Sequence, residues 1–301
     1  MALFNRRQAT LALAGALAAC SRREASSDPD APQPGSLAWA VSGRWRLDPD
    51  RDDWRHPLQT LLFWGLAGDM NVLEVLPGIG WYTAILAPFL AANGGHLIVA
   101  SFDPSTASMA RREVLAAWEA RFAHDPRLYG HIERTVLSDT SASVLAPAGG
   151  VDLAILANNL HTLMAQGIAE RVLGEIFAAL RPGGVLGVEQ HRAASAGVQD
   201  PLASTGYVQE AYVKLLAQEA GFDFVAASDL NANPHDDRNH PFGVWTLPPT
   251  LRTAPLGRPE NPRFDTSPYR AIGESDRMTL RFRKPSGPAA RAPTRGVGPP
   301  P

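Results

Sequence analysis

The chain has 301 residues, 45% of them hydrophobic and 19% charged, with a formal net charge of −2. That is enough apolar material for one α/β domain of roughly 200–250 residues with flanking segments. The near-neutral balance offers no basic surplus for a phosphate backbone, which argues against a nucleic-acid partner. The single cysteine, Cys20, excludes an intramolecular disulfide.

In chain order, residues 1–20 (MALFNRRQATLALAGALAAC) join a basic start to an apolar run from Leu11 to Ala19, with small residues before Cys20. The run is too short to span a bilayer and has the layout of a cleaved export signal. Leu17-Ala18-Ala19-Cys20 resembles the lipobox of bacterial lipoproteins. Arg6-Arg7 resembles a twin-arginine signal, with Ala9 where that signal usually carries a large apolar residue. These resemblances imply an exported, periplasmic protein, anchored to the membrane if Cys20 is lipidated. Residues 21–38, rich in Ser, Asp, Pro and Ala, read as a flexible tether, and 285–301 as a disordered tail. Residues 39–284 are left as the folded domain.

Within it, a short helix is predicted over 57–67, ending near Gly68. The apolar strand Val72–Leu76 leads through Pro77-Gly78-Ile79-Gly80 into a helix from Trp81 to Ala92, stopped by Asn93-Gly94-Gly95. His96–Phe102 reads as the second strand, Ser105–Ala123 as a long helix, and Ile132–Leu137 and Val151–Ala157 as the third and fourth strands. Gln166–Leu180 has the period of an amphipathic helix, ended by Arg181-Pro182-Gly183-Gly184 before a fifth strand at Val185–Val188. A helix over Gly206–Ala220 and strands at Phe222–Ser228 and Met278–Arg283 complete the pattern. Strands alternating with helices predict an α/β fold whose mainly parallel sheet is covered by helices on both faces. A long insert, 229–277, separates strands six and seven, where most connections are short.

The turn Glu74-Val75-Leu76-Pro77-Gly78-Ile79-Gly80 is where ligand chemistry is expected. In an open parallel sheet, ligands sit beyond the carboxyl ends of the strands. Gly78 and Gly80 let the backbone turn sharply against a ligand, and the N–H groups of the next helix face the same place. A nicotinamide fingerprint would need its third glycine at Thr83, and no Gly-Lys-Ser/Thr of a phosphate loop follows.

LEVLPGIGWYTAILAPFL resembles the first motif of class I S-adenosylmethionine-dependent methyltransferases. SFDPS, LANNLHTLM, RPGGVLGVEQHRA, NANP and GVWTLPPT extend the resemblance to a group of predicted bacterial methyltransferases, over residues 50–284. The family implies a Rossmann-like seven-stranded methyltransferase sheet and S-adenosyl-L-methionine as cofactor. Its typical members carry a glycine where this chain has Leu76, a departure that narrows the floor under the methionine part of the cofactor.

Carried over residue by residue, the resemblance implies that Glu74 accepts hydrogen bonds near the cofactor's amino group and that Pro77, Gly78 and Gly80 line its backbone-contact side. Asp103 meets the ribose diol, unless Ser101 is the aligned position and Asp103 only starts the next helix. Asp139, or Ser138 beside it, holds the adenine amine. Asn158, Asn159 and His161 close the fourth strand, facing the transferred methyl group; polar groups ending so apolar a strand need partners. His161 is the first candidate base, with Asn159 beside it and His191 as the second. Arg192 either holds an anionic substrate or neutralises Glu189. Trp81 and Tyr82 either wall the pocket or pack against the N-terminal segment. The insert reads as a substrate wall. Its His235, Asp236 and His240 are either a solvated polar loop or metal ligands; they lack a tight ligand spacing, so no metal is expected.

The function implied is S-adenosylmethionine-dependent methyl transfer to a small-molecule or lipid acceptor. Two rivals remain open. One is an exported, non-catalytic binding lipoprotein on a methyltransferase fold, favoured by Leu76 and by export away from the cytosolic methyl donor. The other is a different nucleotide-dependent enzyme such as a reductase. Nothing in the sequence speaks to oligomeric state.

Overall fold

The computed structural model describes residues 31–106 and 108–287. The export signal with Cys20, most of the tether, and the tail beyond residue 287 lie outside the described residues. Seven strands form one sheet: β1 (Asn71–Val75), β2 (His96–Phe102), β3 (Ile132–Leu137), β4 (Val151–Ala157), β5 (Leu180–His191), β6 (Asp223–Ser228) and β7 (Arg277–Arg283). Their order is β3-β2-β1-β4-β5-β7-β6. Strands β1 to β5 pair in parallel, and β7 runs antiparallel to both β5 and β6. This is the predicted α/β, Rossmann-like methyltransferase fold.

Ten α-helices accompany the sheet among the described residues: α1 (Leu37–Val41), α2 (Asp52–Arg55), α3 (Pro57–Trp64), α4 (Thr83–Asn93), α5 (Met109–Phe122), α6 (Pro126–Tyr129), α7 (Leu160–Ala165), α8 (Ala169–Ala179), α9 (Glu210–Glu219) and α10 (Ser267–Ile272). None is long and apolar enough to cross a membrane. Two core clusters show why the strands are apolar throughout. In β4, Ala154 and Leu156 pack with α7, α8 and α9, whereas Leu153 and Ile155 pack with α3, α4 and α5. Side chains alternate across a strand, so a strand covered on both faces must be apolar at every position. In β1 the same alternation places Glu74 on the α4 face, and the chemistry starts there.

The structure shifts several boundaries for local reasons. Helix α3 stops at Trp64 because Gly65 takes φ +83. Helix α5 begins only at Met109, with the Ser108 hydroxyl accepting from Arg111 N. The helix predicted over 166–180 is α8 alone, opening only at Ala169 because Gly167 adopts φ +68, and no predicted element matches the short α7 before it. The tether ends earlier than residue 38, since Leu37 is buried and opens α1. The insert is no open loop: Asn231, Asn233, Asp236, Thr246, Glu274, Ser275 and Asp276 are all buried.

Candidate functional site

The turn after β1 holds three residues in the left-handed region: Leu76 at φ +53, Gly78 at φ +60 and Gly80 at φ +89. This conformation costs a residue with a Cβ about 1–2 kcal/mol and glycine almost nothing. It is the physical reason for a glycine in the first position, and Leu76 adopts it regardless. Leu76 is kept there by Leu76 N donating to Ala100 O at 2.8 Å, by Asn159 Nδ2 donating to Leu76 O at 2.8 Å, and by burial in the core. The two glycines serve different ends. A Cβ on Gly78 would meet nothing within 4 Å, whereas one on Gly80 would lie 2.2 Å from the Phe122 ring. Gly78 therefore leaves room for a ligand, and Gly80 lets α5 pack.

Two cavities of about 200 Å³ each flank this turn and share Leu76, Pro77, Gly78 and Asn159 as lining. The first is the more polar of the two and is lined further by Arg51, Arg55, Glu74, Trp81, Tyr82 and Asn158. The second is largely apolar, with Ser101, Phe102, Val114, Leu115 and Thr162. Each alone is small; together they reach the roughly 300–1,000 Å³ usual for small-molecule sites.

In the first cavity, burial pushes the Glu74 carboxyl up to about 7, against the opposing effect of its hydrogen bonds with Thr83. Thr83 Oγ1 donates to Glu74 Oε2 at 2.6 Å and accepts from Trp118 Nε1 at 3.2 Å. Where a nicotinamide site would need glycine for close packing, this chain uses a buried hydroxyl to orient the acid. Asn158, at φ +53, donates Nδ2 to Glu189 Oε1 at 3.0 Å. That bond fixes the amide, and Asn158 Oδ1 is left buried without a donor among the described residues. Tyr82 OH donates to Glu189 Oε2 at 2.6 Å, so Tyr82 both packs and walls the cavity. Asn159 spends its Nδ2 group on Leu76 O and on Ala157 O, at 2.8 and 2.9 Å, and braces the turn.

Four sequence-predicted residues fall away from both cavities. Asp103 is exposed and accepts from Ser105 N and Ser105 Oγ, each at 2.7 Å; these bonds hold its carboxyl below the ordinary range. It caps its own turn, and Ser101 is the residue at the end of β2 that lines the second cavity. Asp139 is exposed and ion-paired with Arg111, and Ser138 is tied into the turn of Thr140 and Ser141. His161 is turned by α7 beneath Trp245, ring centres 5.8 Å apart, and its Nδ1 lies 3.2 Å from Gln190 Nε2. Burial pushes its pKa down to about 4. His191, with ring centres 5.4 Å from those of His161, has Nδ1 2.6 Å from Ser275 Oγ, and burial lowers it well below the ordinary value. Both imidazoles are uncharged at neutral pH and lie in a packed layer beneath the insert. They border neither cavity, so the structure does not place them as bases there.

Two further alternatives resolve. Arg192 does not pair with Glu189; it pairs with Asp276 at 2.9 Å and Asp229 at 2.7 Å. Asp236, Asp237 and His240 approach the spacing of a metal site, one ligand atom of each lying within 4.8 Å of the others. Asp236, however, already accepts from Tyr207 OH, Arg238 N, His240 Nε2 and Asp276 N at 2.7–3.0 Å. It is the buried knot of the insert.

Sequence reasoning missed Arg51 and Arg55. Both line the first cavity, and both donate Nε to Glu274, at 2.6 and 2.8 Å. Their four-residue spacing was the only visible cue, since Glu274 lies more than 200 positions on.

No protein-family model matches the chain, and no curated protein matches it. Among solved structures, the cyclase SpnF aligns with a TM-score of 0.51 at 16% identity, over 82% of this chain and 86% of its own. A SAM-dependent methyltransferase from Aquifex aeolicus aligns at 0.47 with 22% identity, over 61% of this chain and 88% of its own. N-methyltransferase NodS from Bradyrhizobium japonicum WM9, in complex with S-adenosyl-L-homocysteine, aligns at 0.47 with 18% identity, over 84% and 98%. At these identities the likeness is one of fold: structural neighbours of this chain include SAM-dependent methyltransferases and a cyclase built on the same α/β framework.

Proposed function

We propose that the chain is an S-adenosylmethionine-dependent methyltransferase that binds its cofactor across the Leu76–Gly80 turn and acts on a small-molecule or lipid acceptor. One observation carries this reading: a polar cavity and an apolar cavity meet at Leu76-Pro77-Gly78. That division matches a ligand with an amino-acid head on one side and a nucleoside on the other. The orphaned Asn158 Oδ1 and the open space beyond Gly78 support the fit. When bound, the cofactor supplies a methyl group activated on a sulfonium. The chain's residues then bind and orient. Glu74 and Asn158 Oδ1 accept from the ammonium, Pro77 and Gly78 present backbone, Ser101 meets a ribose hydroxyl, and Phe102 and Leu115 exclude water. Asp103 joins only if its capped turn opens, and Asp139 only if it leaves Arg111. Isothermal titration with S-adenosylhomocysteine tests the reading. Micromolar binding is expected; no heat and no thermal shift with either the cofactor or its product would sink it.

A second reading, a non-catalytic binding lipoprotein, is favoured by the burial of His161 and His191 away from the cavities, which leaves no histidine base at the turn. It predicts cofactor binding without transfer of labelled methyl to a panel of membrane lipids and small nucleophiles. Periplasmic location and a lipid on Cys20 are proposed with either reading; labelled palmitate should enter the wild-type protein and not the Cys20→Ser variant.

A further inference from the structure

We propose that Arg51 and Arg55 form a carboxylate-binding subsite in the first cavity, held in shape by Glu274 of the insert. It would fix the amino-acid head of the cofactor, and so it rests on the reading above.

A short 3-10 turn, Pro49–Arg51, runs into α2 and places the two arginines one helical turn apart, on one side. Each uses its Nε on Glu274, which leaves the terminal Nη groups of both with no acceptor among the described residues. Glu274 also pairs with the buried Arg277. Arg277 Nη2 in turn donates to Trp54 O at 2.7 Å, and its Nε lies 3.0 Å from Glu189 Oε1. Three guanidinium groups thus face two carboxyl groups in a buried network. One cation is left over, and it is shared by the half-buried Arg51 and Arg55, where an anion would complete the set. The surplus opens on the cavity, through the Nη groups of Arg51 and Arg55.

The anion is a carboxylate belonging to a zwitterion. The same cavity is lined by two acceptors, Asn158 Oδ1, which is left without a donor among the described residues, and the Glu74 carboxyl. A phosphate would satisfy the arginines and repel those acceptors. An α-amino acid head satisfies both sets, carboxylate to the arginines and ammonium to Asn158 and Glu74. Glu274 touches no ligand in this scheme; it is a positioning residue for both guanidiniums.

The test compares three ligands by titration calorimetry on the whole protein: S-adenosylhomocysteine, its decarboxylated analogue, and methylthioadenosine, which lacks the amino-acid head. The decarboxylated analogue should bind about 10- to 100-fold more weakly than S-adenosylhomocysteine, the range that charge-assisted hydrogen bonds provide. Arg51→Gln, at a partly exposed side chain, should weaken S-adenosylhomocysteine and leave the analogue unchanged, closing the gap. Glu274→Gln should narrow the same gap; should that buried change unfold the protein, the wild-type comparison and Arg51→Gln decide. Equal affinity for S-adenosylhomocysteine and its decarboxylated analogue overturns the subsite while leaving the cofactor reading intact. So does an Arg51→Gln variant that weakens all three ligands alike. Failure of every ligand to bind overturns the cofactor reading itself, and the subsite with it.

Discussion

Replacing Leu76 with glycine sets two effects against each other. Leu76 is 4% exposed and belongs to the larger core cluster, so removing its side chain costs about 2–5 kcal/mol. Its φ of +53 is a left-handed conformation, and relieving it returns about 1–2 kcal/mol. Glycine's extra freedom in the unfolded chain takes back about 0.5–1 kcal/mol. The balance is a loss of about 2–3 kcal/mol, or a Tm lower by about 5–10 °C for a domain of this size. Thermal denaturation followed by circular dichroism measures it. Leu76→Ala is the informative partner: it loses almost the same side chain and keeps the strain, so it should be less stable than Leu76→Gly by about 1 kcal/mol. An alanine variant more stable than the glycine variant would refute the strain argument. Leu76→Gly should also bind S-adenosylhomocysteine at least as tightly as wild type, because it widens the cavity floor; weaker binding by a folded variant would show that the leucine contributes to the site.

Gly78→Leu should fold with a Tm a few degrees lower and lose S-adenosylhomocysteine binding, since its side chain enters open space at the cavity. Gly80→Ala should instead fail on stability, because its Cβ meets Phe122; a stable Gly80→Ala protein would contradict the packing. Glu74 titrates near 7 in the folded chain against an ordinary 4.5, so the folded state holds a proton that the unfolded state has lost. Its contribution is complete below pH 4.5 and disappears as pH rises through 7, a loss of about 3 kcal/mol that Glu74→Gln should abolish in urea melts between pH 5 and 8. His161 has the opposite sign: with a folded value of about 4, its stabilisation is complete above pH 6.5 and lost as pH falls to 4. His161→Gln should flatten that acid limb; an unchanged limb would mean that the buried imidazole does not drive it.

Much of the framework was legible because its signals are local. The strands at 96–102, 132–137 and 151–157 are visible as apolar runs bounded by turn residues, and the Leu76–Gly80 turn as glycines after a strand. Element ends were less visible, because a single dihedral decides them, as at Gly65 and Gly167. The candidate site was legible only where a residue's neighbours in sequence are its neighbours in space. Glu74, Gly78 and Asn158 meet that condition, all lying at strand ends on one edge of the sheet. His161 does not: the register of α7 turns it from the strand end into the layer beneath Trp245. Asp103 fails differently, because Ser105, two residues on, supplies the donors that its carboxylate would otherwise seek in a ligand.

The residues that no local pattern could supply are the ones that close the polar cavity. Arg51 and Arg55 come from the start of the domain, and Glu274 and Arg277 from the end of the insert. The insert was expected to wall the acceptor, yet its most buried polar groups point to a different task. Asp236 gathers Tyr207, Arg238, His240 and Asp276. Asn231 bonds Thr60 and Thr279, and Asn233 bonds the backbone at Ile272 and Glu274. The bonds of Asp236 to Asp276 N and of Asn233 to Ile272 O and Glu274 O fix the chain just before β7, from which Glu274 reaches the two arginines. Changes within the insert therefore reach the cavity through Glu274: loosening Asp236 or Asn233 should lower affinity for a carboxylate-bearing ligand before it alters the turn at Gly78.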